Sequence, residues 1–321
     1  MLTFHSCNLR FGCHITKSRT FVETFTNYIY TAVPLRGYQL YISNSRSSSL
    51  PKCDPYDILE AAKLIKQNDL FLVIHGSLLY NMCGAVLLEK DDKYKIKRDN
   101  MLNGIVAELD IGVGLGCGVI VHFGSCKNRE RGKIEMAKHI EIVLSKTSEY
   151  SKQLSKSLKI TEQEFIKKRK LVLENSAGEG TKLGSTLKEI REIIDLVDKK
   201  FHKQLRVCID TAHLHGQGDY NLGTDKGISD FYSDMTKYNL LDIFECFHLN
   251  DSKAKLGSHL DRHKNLCTGN IWTNNELQFV RFVDEIKKRN FPFICEPNKD
   301  ENAKTDYETI CRLIPGTRII K

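Results

Sequence analysis

Nine residues offer nitrogen or carboxylate donors at places from which they can converge: His75, His122, Glu174, Asp210, His213, His248, Asp261, His263 and Glu296. Six of them, His75, His122, Glu174, Asp210, His248 and Glu296, each close a short apolar run of strand length. His213 follows Asp210 by one helical turn, and Asp261 and His263 lie in the segment after His248. One histidine at a strand end is more often a satisfied polar residue than a ligand. Six consecutive strands ending in Asp, Glu or His are not explained that way. Nine donors are too many for one zinc, which takes about four, but suit two or three metals sharing a bridging carboxylate. The set holds no cysteine, which favours a catalytic site with open positions over a structural one.

Such residues meet only if the chain brings strand ends together. Apolar runs rich in Val, Ile, Leu and Phe predict strands at 9–15, 38–43, 70–75, 118–122, 171–174, 206–210, 243–248 and 292–296. Amphipathic stretches between them predict helices at 19–31, 55–67, 98–113, 133–150, 185–199, 227–238, 275–289 and 304–313. Eight strand-helix units predict an α/β chain folded as a TIM-like (β/α)8 barrel, whose strands present their C-terminal ends on one face. An open doubly wound sheet is disfavoured, because no glycine-rich dinucleotide fingerprint follows the first strand. No linker divides residues 1–321, which reads as a single domain, although 151–170 is longer than a helix-to-strand connection requires. The alternating Gly112, Gly114, Gly116 and Gly118 reads as a helix stop and turn, since a strand follows where a phosphate loop needs a helix. The basic tetrad 167–170 superficially resembles a nuclear targeting signal but runs into a strand.

Composition sets the outer bounds. The 321 residues, 41% hydrophobic and 27% charged, describe an ordinary globular chain with no disordered or fibrous bias. No apolar run approaches a membrane span and the amino terminus lacks a secretory core, so a soluble, intracellular protein, cytoplasmic or nuclear and not secreted, is expected. The eleven cysteines are scattered, mostly in apolar runs, and include no CxxC pair, so reduced thiols are expected; Cys7 and Cys13 alone are close enough to leave a disulfide open. The net charge is +8, and residues 127–170 hold 13 Lys and Arg against 6 Asp and Glu. That stretch reads either as a solvated helix face or as a surface for a polyanion, with Lys127 and Arg129 as candidate phosphate contacts.

The segments Val73-Ile-His75-Gly-Ser, Val121-His122-Phe-Gly-Ser, Leu173-Glu174-Asn-Ser-Ala-Gly, Cys208-Ile-Asp210-Thr-Ala-His213, Phe247-His248-Leu-Asn-Asp251-Ser and Asp261-Arg-His263 resemble, in order, the motifs of the endonuclease IV family of abasic-site endonucleases. The resemblance covers almost the whole chain. It implies three zinc ions: His75, His122 and Glu174 on the first, Glu174 bridging to a second with Asp210, His248 and Glu296, and His213, Asp261 and His263 on the third. Glu174, Glu296 and His213 would be closest to the chemistry, and manganese is a possible substitute metal. The implied substrate is double-stranded DNA with an abasic site, cut 5′ to the lesion to leave a 3′-hydroxyl and a 5′-deoxyribose phosphate, with 3′-end trimming as a second activity and no obligate protein partner. The family inserts side chains at the lesion, and Arg46, Leu78, Leu79 and Tyr80 occupy the matching loops. Here the chain departs from the pattern, since an aromatic residue usually stands where Leu78 is.

Two other functions are compatible with the same barrel. A metal-dependent sugar isomerase or epimerase needs only one or two metals and would leave His213, Asp261 and His263 without a task. A catalytically dead nucleic-acid-binding module would have lost ligands, and none is missing.

Overall fold

The computed structural model describes residues 9–29, 35–42, 45–46, 52–84, 92–296 and 303–314. Ten strands occur among them: β1 (Phe11–Ile15), β2 (Gly37–Leu40), β3 (Phe71–His75), β4 (Gly118–His122), β5 (Leu171–Glu174), β6 (Leu205–Asp210), β7 (Phe244–His248), β8 (Asp251–Ser252), β9 (His263–Lys264) and β10 (Phe293–Cys295). All but β8 and β9 close into one barrel in the order β1-β10-β7-β6-β5-β4-β3-β2, with every neighbouring pair parallel. Runs such as Val119-Ile120-Val121 and Leu171-Val172-Leu173 are buried on both faces, which is why they are apolar without alternation. Outward residues join the large core beneath the helices. Val73, Ile120, Val172, Cys208, Cys246 and Ile294 point inward and plug the barrel. The barrel is therefore a packed floor, and the His and carboxylate side chains singled out by the sequence gather above it, at the C-terminal strand ends.

The helices are α1 (Phe21–Ile29), α2 (Pro55–Gln67), α3 (Asp92–Leu115), α4 (Arg129–Ser145), α5 (Glu149–Leu158), α6 (Glu162–Ile166), α7 (Leu187–Leu196), α8 (Thr211–Gln217), α9 (Asp225–Lys237), α10 (Glu276–Lys288) and α11 (Ala303–Leu313). All eight helical expectations fall on helices, but 133–150 is two. The helix breaks at Lys146, and Ser148 caps α5 through a capping box. The fully buried Arg169 holds this break, donating to the Val143 and Lys146 carbonyls at 2.8 Å each and pairing with Asp110 at 2.7 Å. That burial also removes the centre of the basic tetrad from the surface. The long stretch 151–170 is accounted for by α5 and α6. The glycine run stops a helix, as expected, but at Gly116 (φ +83°): α3 continues through Gly112 and Gly114, where a Cβ at Gly114 would lie 2.6 Å from the Ile58 side chain. Gly114 brings α3 close to α2, and Gly112 brings it close to Val119 and Ile74 of the barrel.

The ten described cysteines are all free, and Cys7 lies outside the described residues. Among the described residues no helix is long and apolar enough to cross a membrane.

Candidate metal centre

Parallel pairing in register is what assembles the site. His122 stands opposite Glu174 across β4 and β5, and Asp210 opposite His248 across β6 and β7. His75 ends β3, and Glu296 follows β10 by one residue. Asp210 also caps α8, accepting the His213 backbone N–H at 2.9 Å, so one turn of helix carries His213 to the same mouth. The small β8–β9 hairpin, absent from the sequence reading, returns the chain after β7 so that Asp261 and His263 reach the site.

The donor atoms form three adjoining groups, each within 4.8 Å: His75, His122 and Glu174; Glu174, Asp210, His248 and Glu296; and Asp210, His213 and His263. Glu174 belongs to the first two and Asp210 to the last two. Asp261 completes the third, 3.3 Å from His213 Nε2 and 3.2 Å from His263 Nε2. All nine residues singled out by the sequence are thus brought together, with Asp210 additionally shared by the third group.

The rings are held in defined tautomers. A carbonyl oxygen only accepts, so a ring nitrogen bonded to one must carry the proton. His75 Nδ1 donates to Gly76 O at 2.8 Å, His213 Nδ1 to Asn175 O at 2.8 Å and His263 Nδ1 to Glu296 O at 3.3 Å. Each then turns Nε2 towards carboxylates, His75 Nε2 lying 3.3 Å from Glu174 Oε2. His248 is reversed: Nε2 donates to the Gln39 amide oxygen at 2.7 Å and Nδ1 sits 2.8 Å from Glu174 Oε1. Two asparagines fix the carboxylates. Asn250 donates to Asp210 Oδ2 at 2.7 Å and accepts the Glu296 N–H at 2.8 Å, while Asn175 accepts the Asp210 N–H at 2.7 Å.

Proton-free imidazole nitrogens facing carboxylate oxygens repel one another unless a cation lies between. Glu174 Oε2 is buried with no hydrogen-bond partner among the described residues. An imidazole and carboxylate donor set with outward-facing ring N–H groups held by the protein fits zinc or manganese, and does not fit calcium or magnesium, which take oxygen. The residues therefore fit the metal that the sequence implied.

Without a cation the carboxylates draw protons onto rings of the centre instead: against the effect of burial, Asp210 and Asp261 raise His213, and Glu296 and Glu174 raise His248, each well above the ordinary imidazole value. Burial pushes the Glu174 carboxyl up, but the His248 and His122 rings outweigh it and hold it well below the usual range. Burial likewise opposes ionisation of Glu296, yet His248 brings it down to about 2. His263 is lowered by burial and raised more by Asp210 and Asp261, to about 9. Burial wins at His122, which falls to about 4 despite Glu174. The mouth is an anionic pocket that demands positive charge.

Comparison with known proteins places this chain in a family. The sequence profile of AP endonuclease family 2, described as a xylose isomerase-like TIM barrel, matches residues 32–315. The chain belongs to AP endonuclease family 2, the endonuclease IV family. An Acanthamoeba polyphaga mimivirus protein assigned as an endonuclease 4 is 27% identical over 288 residues, covering 88% of this chain and 84% of its own. One assigned likewise in Halothermothrix orenii is 28% identical over 286 residues, covering 87% and 91%. The crystal structure of endonuclease IV from Thermus thermophilus superposes with a TM-score of 0.71 at 23% identity, covering 96% of this chain and 98% of that one, and shows the same fold.

The residues expected from the sequence to face DNA are placed unevenly. Leu78 and Leu79 are exposed, at 47% and 53%, on the loop that follows His75. That loop is tied to the turn carrying exposed Arg46, because Leu78 N–H and the Ser77 hydroxyl donate to Ser45 O at 2.8 and 3.0 Å. Tyr80 is a correction: it is buried, with its hydroxyl bonded to the Glu108 carboxyl, so it anchors the loop from below and presents no surface to a ligand. Lys127 is exposed on the loop after β4. Arg129 is exposed too, but its guanidinium is already engaged by Glu189 at 2.6 and 3.1 Å. Much of the basic stretch 127–170 lies on helices outside the barrel, where Lys133 pairs with Glu130 and Glu192, and Lys138 with Glu135. Those charges are met by carboxylates of the chain itself, and Lys133 and Glu135 are buried.

Sequence reasoning missed Gln39, Asn175 and Asn250. Asn175 and Asn250 lie inside the quoted motifs beside Glu174 and His248. Gln39 was detectable as the one polar side chain between Tyr38 and Leu40 in an apolar strand.

Proposed function

We propose that this protein is a metal-dependent DNA-repair endonuclease that hydrolyses the phosphodiester 5′ to an abasic site, leaving a 3′-hydroxyl and a 5′-deoxyribose phosphate. The observation that carries the reading is the continuous run of three His and carboxylate groups joined through Glu174 and Asp210. Three zinc ions would be held by His75, His122 and Glu174, by Glu174, Asp210, His248 and Glu296, and by His213, Asp261 and His263. When bound, zinc lowers the pKa of a coordinated water towards about 7 and neutralises phosphodiester charge. The protein's own part is arrangement. Glu174 and Asp210 keep the three groups within reach of one phosphate, and the backbone carbonyls behind His75, His213 and His263 keep their Nε2 atoms aimed inward. Leu78 and Leu79 fit the gap left by a missing base, while Arg46 and Lys127 offer charge to the backbone. A one- or two-metal sugar isomerase would leave the third group unused. The test is a duplex with a single tetrahydrofuran abasic analogue, incubated with purified protein before and after metal removal. A nick 5′ to the analogue with an extendable 3′-hydroxyl, lost on removal and restored by zinc, is expected. Intact duplex at saturating zinc would refute the reading.

A further inference from the structure

Gln39 is the last inward-facing residue of β2, and its side chain is completely buried. An amide shut away from water costs about 1–3 kcal/mol unless its hydrogen bonds are replaced. They are replaced here by the metal centre itself. Nε2 donates to Glu296 Oε1 at 2.5 Å, and Oε1 accepts from His248 Nε2 at 2.7 Å. His14 Nδ1, at the end of β1, lies 3.4 Å from the same amide nitrogen. The amide reaches past β1 to Glu296, just after β10, and to His248, at the end of β7. Tyr38 and Leu40 on either side face the outer core and need nothing from it.

The chemistry of an amide makes this contact directional, since its oxygen only accepts and its nitrogen only donates. The oxygen places the proton of His248 on Nε2, leaving Nδ1 for the cavity, where it lies 3.2 Å from Glu296 Oε2. The nitrogen occupies Glu296 Oε1, so Oε2 is the oxygen turned to the centre. We propose that Gln39 is a positioning residue of the metal centre, fixing the His248 tautomer and the Glu296 orientation together and so setting affinity at the middle group alone. The inference rests on the metal-binding reading above. Gln39 itself contacts none of His122, His213, Asp261 or His263, and Glu296 meets His263 through its backbone carbonyl, which the amide does not hold, so the outer groups are expected to be indifferent to it.

The full chain is compared with Gln39→Met, which keeps the shape and removes both hydrogen bonds, and Gln39→Glu, which keeps an acceptor for His248 and removes the donor to Glu296. Zinc affinity is read by equilibrium competition against a chromophoric chelator. The ligand field and the exchangeable imidazole protons are read in the cobalt(II)-loaded proteins by absorption and hyperfine-shifted NMR. In Gln39→Met one zinc per chain is expected to weaken about 10–100-fold, as for other residues that orient ligands, with the remainder unchanged. The His248 Nε2–H signal, protected in the parent, is expected to exchange away in Gln39→Met and persist in Gln39→Glu. A merely structural glutamine would instead lower the melting temperature of the metal-free chain and loosen every metal alike, and that result overturns the proposal, as does parental affinity in both variants. Should Gln39→Met fail to fold, selective loss of one zinc in Gln39→Glu supports the proposal and uniform loss overturns it. A parent chain that binds no zinc at all refutes the metal centre, a separate outcome.

Discussion

Glu174 touches more of the site than any other side chain, lying within 3.6 Å of His75, His122, His213 and His248. Its charge is the shared element of two groups, so Glu174→Gln is expected to reduce turnover by roughly 100-fold or more. That loss should exceed the loss from any single change among His213, Asp261 and His263. Steady-state rates with parallel metal analysis decide it, and near-parental turnover at normal metal content would contradict the bridge. A second residue, Glu108, does its work without metal. Burial raises its carboxyl to about 8 from an ordinary 4.5. The folded state then keeps a proton that the unfolded state has released, so stability is greatest below the unfolded value and falls as pH climbs through that window. Glu108→Gln cannot ionise and should lose this slope, up to roughly 1.4 kcal/mol per unit of pH, which melting curves of both proteins between pH 5 and 8 will show. Parallel curves would mean that Glu108 is ionised. The ligands were legible because ionisable residues at the ends of apolar runs have few structural alternatives. Gln39 stood out only as a polar residue in an apolar strand, and its role, like that of Asn250, was not legible, because a neutral amide acquires meaning only from what it faces.

At the scale of elements, the barrel mouth is bounded by loops that hold one another. Asn81 exchanges hydrogen bonds with the Ser125 backbone, joining the loop after β3 to the loop after β4. Leu183 N–H donates to Gly124 O and Cys126 N–H to Thr181 O, joining the latter to the loop after β5. Exposed Leu78 and Leu79 therefore stand on a braced loop, and under the proposed function the ordering that insertion into DNA would require is largely done beforehand. Changing both to Ser should weaken binding to abasic duplex several-fold more than to intact duplex. Lys127→Ala should weaken both alike and flatten the salt dependence, since phosphate contacts carry no lesion information. Anisotropy titrations of both duplexes at several salt concentrations separate the two, and equal losses on both DNAs for the Leu pair would remove the wedge. Strand positions were readable because β-branched runs buried on both faces leave a continuous apolar signature. The break between α4 and α5 was not, because it depends on Arg169 reaching carbonyls more than twenty residues away in sequence. Tyr80 was misplaced for a related reason: sequence adjacency to Leu79 says nothing about which way a loop turns each side chain.

The whole molecule is an apolar floor under an anionic mouth, and the charge gathered there gives the fold a stake in its metal. Ligands that bind only the folded state stabilise it, by about 4 kcal/mol at a thousandfold excess over Kd, so chelation should lower the melting temperature measurably. An unchanged melting temperature would mean that the centre is not loaded. The barrel itself was foreseeable from eight repeats of strand and helix, whereas the β8–β9 hairpin, two residues on each side, is too short to carry a periodic signal. The most direct measurement is a titration of zinc into metal-free protein, following bound metal by elemental analysis and nicking of an abasic duplex in the same samples. Activity is predicted to appear only as zinc approaches three per chain, the number of donor groups at the mouth. Full activity at one zinc per chain would contradict it.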